Sequence, residues 1–106
     1  MTKVETQQDL DAAVGQTGKA VVLFHATWCP YCRTFLPVFK EMTKASMPKI
    51  IEAVVDDEDN PIWENLQIEL IPTVLFYEDG KVKRRLEGRP GVGLTRDDLE
   101  QALSIV

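Results

Sequence analysis

The chain holds two cysteines, Cys29 and Cys32, three residues apart. Random placement would give that spacing in about one case in fifty, so the spacing itself carries information. Two thiols one helical turn apart suit dithiol–disulfide exchange: one thiolate attacks a disulfide sulfur, and the second resolves the mixed disulfide. Competing chemistries fit less well. A structural zinc site takes four ligands, whereas the pair and the sole histidine, His25, supply three. A structural cross-link between such near neighbours closes too short a loop to stabilise much. Neither a metal nor a bound cofactor is therefore expected, since the electrons would reside in the dithiol and no phosphate-cradling glycine loop is present.

The elements around the pair say how it would be held. Lys19 is followed by Ala-Val-Val-Leu-Phe24, an apolar run rich in β-branched residues that predicts a strand buried on both faces. After the cysteines, Leu36, Phe39 and Met42 recur at helical spacing, with Val38 also able to face inward. Cys29 therefore falls at a helix N-terminus, where unpaired amides favour a thiolate, and Cys32 lies one turn inside, less exposed and second to react. Pro30 removes one amide donor, Tyr31 adds an aromatic edge, and Pro37 should bend the helix.

Upstream, Thr6 caps a short helix carrying Leu10, Ala13 and Val14, ended by Gly15 and Gly18. Downstream, Ile50 to Asp56 reads as a strand and Pro61 to Leu66 as a short helix with proline in its first turn. Thr73–Tyr77 and Val82–Leu86 flank Asp79-Gly80, a hairpin signal that makes the sheet mixed. Thr95 and Asp98 resemble a capping box for a last helix with Leu99, Ala102 and Leu103 on its apolar side.

At 106 residues and 44% hydrophobic, the chain has the length and composition of one globular domain, expected over 1–106 as a monomer. The net charge of -5 is uneven: residues 1–53 carry 6 basic and 5 acidic side chains, residues 54–106 carry 6 and 12. That balance gives no footprint for nucleic acid or an anionic membrane. The basic run Lys81 to Arg85 reads as a solvated strand face, and Asp56 to Asp59, lacking the EF-hand alternation, as a solvated turn. The N-terminus shows no targeting pattern and no apolar stretch approaches a membrane span, so the expected location is cytoplasmic.

Trp28-Cys-Pro-Tyr-Cys32 after an apolar strand, Pro37 in the next helix, Ile71-Pro-Thr73 before a hairpin and Gly88 beyond it together resemble the thioredoxin family, across about residues 18–103. The resemblance implies a thioredoxin-like α/β fold, a central mixed β-sheet with helices on both faces. It also implies a cis Ile71–Pro72 bond facing the cysteines, with a backbone edge that a partner can pair with. A substrate groove would be formed by Trp28, Pro30, Tyr31, Ile71, Pro72 and Gly88, the glycine permitting close backbone approach. Trp63 reads as a packing residue on its own helix.

Several positions depart from that family. Leu23 stands where a buried aspartate is common beneath the second cysteine, and Glu52 where a lysine is frequent. His25 replaces a tryptophan that approaches the aspartate at the position of Asp56, so a His25–Asp56 hydrogen bond is expected, with a histidine able to titrate near neutrality. The Cys-Pro-Tyr-Cys centre is similar to that of glutaredoxins, while Trp28 and Ile71-Pro72 look like thioredoxin. The implied activity is reduction of protein disulfides through Cys29 and Cys32, with disulfide-containing proteins as substrates and a thioredoxin-reductase-like electron donor. The alternatives are a glutathione-linked or dedicated-partner reductase, and a non-catalytic interaction subunit of the same fold.

Overall fold

The apolar run after Lys19 lies at the centre of the sheet. In a computed structural model, which describes residues 1–105, it forms strand β2 (Lys19–His25), every residue after Lys19 being buried. Its neighbours are β3 (Lys49–Val54), parallel, and β4 (Thr73–Glu78), antiparallel. β5 (Lys81–Glu87) completes a hairpin with β4, and β1 (Thr2–Val4) lies parallel to β3 at the opposite edge. The order β1-β3-β2-β4-β5 is thus a mixed five-stranded sheet.

Helices cover both faces, as alternation along the central strands requires. Ala20, Val22 and Phe24 face helix α1 (Gln7–Val14) and the short α3 (Ile62–Asn65), packing with Leu10, Val14 and Ile62. Val21 and Leu23 face α2 (Pro30–Thr43) and α4 (Arg96–Leu103), packing with Phe35, Phe39, Leu99 and Ala102. Leu23 therefore contributes an ordinary core side chain under α2. The accessible surface, 6060 Å², matches the roughly 6,000 Å² that mass scaling gives for a folded 12 kDa chain.

The local signals formed as read. The Thr6 hydroxyl accepts from Asp9 N–H at 3.1 Å, and Thr95 and Asp98 form a reciprocal capping box despite aspartate replacing the usual longer acid. Asp79 and Gly80 both adopt positive φ, 53° and 82°, as a tight type I′ hairpin demands. α2 runs on through Pro37. The basic run 81–85 lies along β5, exposed over most of its length. β1 has no counterpart in the sequence reading. It is three residues long with one buried side chain, Val4, too short for a period-2 pattern to register.

Candidate active site

The carboxyl ends of β2 and β3 open onto one rim, where an α/β sheet presents its reactive side chains. Four connections meet there: residues 26–29 after β2, 55–61 after β3, 66–72 before β4 and 88–95 after β5. Cys29 is the N-cap residue of α2, with φ -93° and ψ 115°, and no side chain caps the helix. Pro30 occupies the first turn and offers no N–H, so the amides of Tyr31 and Cys32 are the first donors at the positive end of the helix that Cys29 caps. Both cysteines are free thiols. Cys29 retains 6% exposure and Cys32 none, the asymmetry expected from their positions.

Ala26, Cys29 and Cys32 form a small cluster against Ile71. The Cys29 Sγ–H points at the Ile71 carbonyl, 3.8 Å away, just before the cis Ile71–Pro72 bond. Burial pushes the Cys32 thiol up to about 12, against a partly offsetting backbone hydrogen bond from Ala26, with Cys29 and the Asp56 carboxylate adding to the rise. Cys32 is therefore held protonated by its surroundings. Pro72 is buried, and a Cβ on Gly88 would lie 2.6 Å from the Pro72 carbonyl oxygen, so only glycine fits this approach of β5 to the proline.

Asp56 organises the other side of the rim. Its Oδ1 accepts from Thr27 N–H and its Oδ2 from the Thr27 hydroxyl, each at 2.7 Å, and these bonds hold its carboxyl below the usual range. The backbone carbonyl of Asp56 accepts from the Trp28 indole Nε1–H at 2.9 Å. Trp28 is thus anchored at its polar edge while half of it remains exposed, and Tyr31 is 44% exposed. The expected His25–Asp56 hydrogen bond does not form. His25 Nε2 lies instead 2.9 Å from Glu52 Oε2, in a pair whose side chains are 6% and 9% exposed.

The reason is register. In the parallel β2–β3 ladder His25 stands opposite Val54, so Glu52 and Asp56 are its two diagonal neighbours, and Thr27 already engages both oxygens of Asp56. Of the expected groove residues, Ile71 packs on the two cysteines and Gly88 lies against Pro72, while Trp28 and Tyr31 flank the cysteines in sequence and are exposed; His25 instead faces the α2 side of the sheet. Three further residues escaped sequence reasoning. Thr27 carries no motif. Leu70 and Val92 are exposed apolar side chains on neighbouring connections, Val92 beside Gly93, whose Cβ would meet Tyr31 Cβ at 2.9 Å. The Gly91-x-Gly93 spacing was the available signal, both glycines having positive φ. Among the described residues no cluster of three or more His, Cys, Asp or Glu could hold a metal ion.

This geometry has known counterparts. The thioredoxin family model matches residues 1–104. The chain belongs to the thioredoxin family. Relatives carrying the name thioredoxin agree with that match, consistent with a thiol–disulfide oxidoreductase. Thioredoxin H3 of Arabidopsis thaliana is 34% identical over 77 residues, 72% of this chain and 65% of its own length. The thioredoxin of Mycoplasmoides gallisepticum is 33% identical over 82 residues, 77% of this chain and 82% of its own. The chain thus spans about two thirds of the plant relative.

Among solved structures, Fasciola hepatica thioredoxin superposes with a TM-score of 0.79 at 26% identity, covering 99% of this chain and 98% of that one. Thioredoxin f2, solved in complex with ferredoxin:thioredoxin reductase, shares the fold at 22% identity and a TM-score of 0.77, covering 98% and 92%. No helix among the described residues is long and apolar enough to cross a membrane.

Proposed function

We propose that the chain works as a single-domain, monomeric, cytoplasmic reductase of protein disulfides, with Cys29 as nucleophile and Cys32 as resolving thiol. The supporting observation is their inequality: Cys29 is the N-cap of α2 and keeps 6% exposure, while Cys32 is fully buried with its thiol raised to about 12. The Cys29 thiolate attacks one sulfur of the substrate disulfide. That S–S bond breaks, a Cys29–substrate disulfide forms, and the departing thiolate takes a proton. Cys32 then loses its proton and attacks Cys29 Sγ, forming the Cys29–Cys32 disulfide and releasing the second substrate thiol. Two electrons and two protons pass from the dithiol to the substrate, with no further cofactor. Trp28, Tyr31, Ile71, Pro72 and Gly88 form the groove, Pro30 and Asp56 support it, and Asp56 anchors Trp28.

A thioredoxin-reductase-like protein is the proposed electron donor, a class illustrated by the reductase seen with the neighbour thioredoxin f2. Pro30-Tyr31 between the cysteines favours the second reading, in which glutathione regenerates the dithiol. The test supplies an oxidised protein substrate with either a thioredoxin reductase system or glutathione plus glutathione reductase. Turnover with the first supports the proposal, turnover only with the second reverses the order, and turnover with neither overturns both.

A further inference from the structure

The groove is ringed by features that select what enters it. Seven large apolar side chains are exposed among the described residues; three of them, Trp28, Leu70 and Val92, stand on the connections at the dithiol's rim, and a fourth, Tyr31, lies in the first turn of α2 between the two cysteines. Each is 44–50% exposed. A patch of this kind beside a reactive sulfur is built to cover apolar side chains of a partner. The Val92 wall is held firmly: Arg89 and Gly93 exchange backbone hydrogen bonds at 3.0 and 2.8 Å, and the Arg89 guanidinium is fixed by Asp98 at 2.8 Å.

Charge is distributed just as unevenly. The connections around the groove carry Asp56, Asp57, Glu58, Asp59 and Glu69, all exposed. The cations nearby are largely engaged. Arg89 pairs with Asp98, and Arg85 is turned onto Glu87 and the carbonyls of Leu66 and Gln67. Arg33, one turn into α2, and Lys3, whose charge reaches Asp56, are the exposed exceptions. An apolar floor within an acidic frame complements a cationic segment and repels an anionic one. Glutathione, with two carboxylates against one ammonium, falls on the repelled side.

We infer that the groove selects extended protein segments whose disulfide is flanked by lysine or arginine, with an apolar side chain next to the half-cystine that Cys29 attacks. The inference rests on the proposed reductase activity and names its substrate class. Trp28, Tyr31 and Val92 receive the apolar residue, and the carboxylates on the 55–61 and 66–72 connections receive the flanking cations.

The test uses the reduced full chain, freed of excess reductant, in single turnovers that need no donor. Two peptides with the same disulfide and the same apolar neighbour differ only in carrying two lysines or two glutamates. Each rate is divided by that with a small uncharged disulfide. At low salt the lysine peptide is expected to react about tenfold faster, the ratio falling toward one in about 0.5 M salt.

A Glu58→Lys, Asp59→Lys, Glu69→Lys variant, whose three altered side chains make no hydrogen bond or ion pair among the described residues, is expected to reverse the order. Equal rates for the two peptides, or an unchanged ratio in the folded variant, overturn the substrate class while reduction of the small disulfide leaves the activity standing. Failure to reduce the small disulfide and both peptides overturns the reductase reading, and this inference with it.

Discussion

His25 Nε2 and Glu52 Oε2 lie 2.9 Å apart, almost wholly buried between the sheet and α2. Removing one member of this hydrogen-bonded pair leaves the other buried and unsatisfied, at a cost of about 1–3 kcal/mol. His25→Ala or Glu52→Leu should each lower stability by that amount in chemical denaturation. The double variant His25→Leu, Glu52→Leu should recover most of it, because a well-packed apolar pair needs no partner. Additive losses in the double variant would show that the two side chains act independently.

How the pair arises also shows what the sequence can and cannot convey. The dithiol, its seat at a helix start, the Asp79-Gly80 hairpin and both threonine caps were legible, because each depends on residues within four positions of one another. The partner of His25 was not. It depends on the β2–β3 register, which presents Glu52 and Asp56 on opposite diagonals, and on Thr27 saturating the second of these. For Val92 the flanking glycines signalled a turn but not its place, since only the folded chain brings Gly93 onto Tyr31. β1 offered too few residues for any period.

Asp56 should set part of the acid limb of stability. Its folded pKa is depressed by Thr27, so its contribution is fully present above the ordinary carboxylate value of 3.8 and is lost as pH falls through the lower folded value. Asp98 behaves alike: burial opposes the shift, but the Thr95 amide and hydroxyl and the Arg89 guanidinium outweigh it. In Asp56→Asn the fall in melting temperature below about pH 4 should be shallower, and shallower still with Asp98→Asn added. An acid limb identical to that of the native chain would remove both carboxylates from this role.

The two tight glycines should separate stability from function. Gly93→Ala forces a side chain onto φ +73° and into the Tyr31 Cβ, 2.9 Å away. The left-handed conformation alone costs about 1–2 kcal/mol. Gly88→Ala places its Cβ 2.6 Å from the Pro72 carbonyl, a backbone atom that cannot swing aside. It should displace the groove edge and lower kcat/KM toward protein disulfides by about tenfold or more, since small misplacements at a reacting site are costly. Its rate with a small disulfide should fall less. Equal losses with both substrates would mean that the 72–88 contact does not shape protein binding.

Burial should also keep Cys32 slow toward alkylating agents. In Cys29→Ser, the modification rate of Cys32 should still be climbing at pH 10, because desolvation is the largest cause of its rise above the ordinary 9.0. A plateau between pH 8 and 9 would show a thiol open to water.

Trapping the mixed disulfide tests the division of labour between the two thiols most directly. With an oxidised protein substrate, Cys32→Ser should accumulate a covalent complex through Cys29, released by added dithiol and mapped to that residue by mass spectrometry. Cys29→Ser should accumulate none. A stable complex through Cys32 in Cys29→Ser, or no complex in folded Cys32→Ser, would contradict the assignment of Cys29 as nucleophile and Cys32 as resolving thiol.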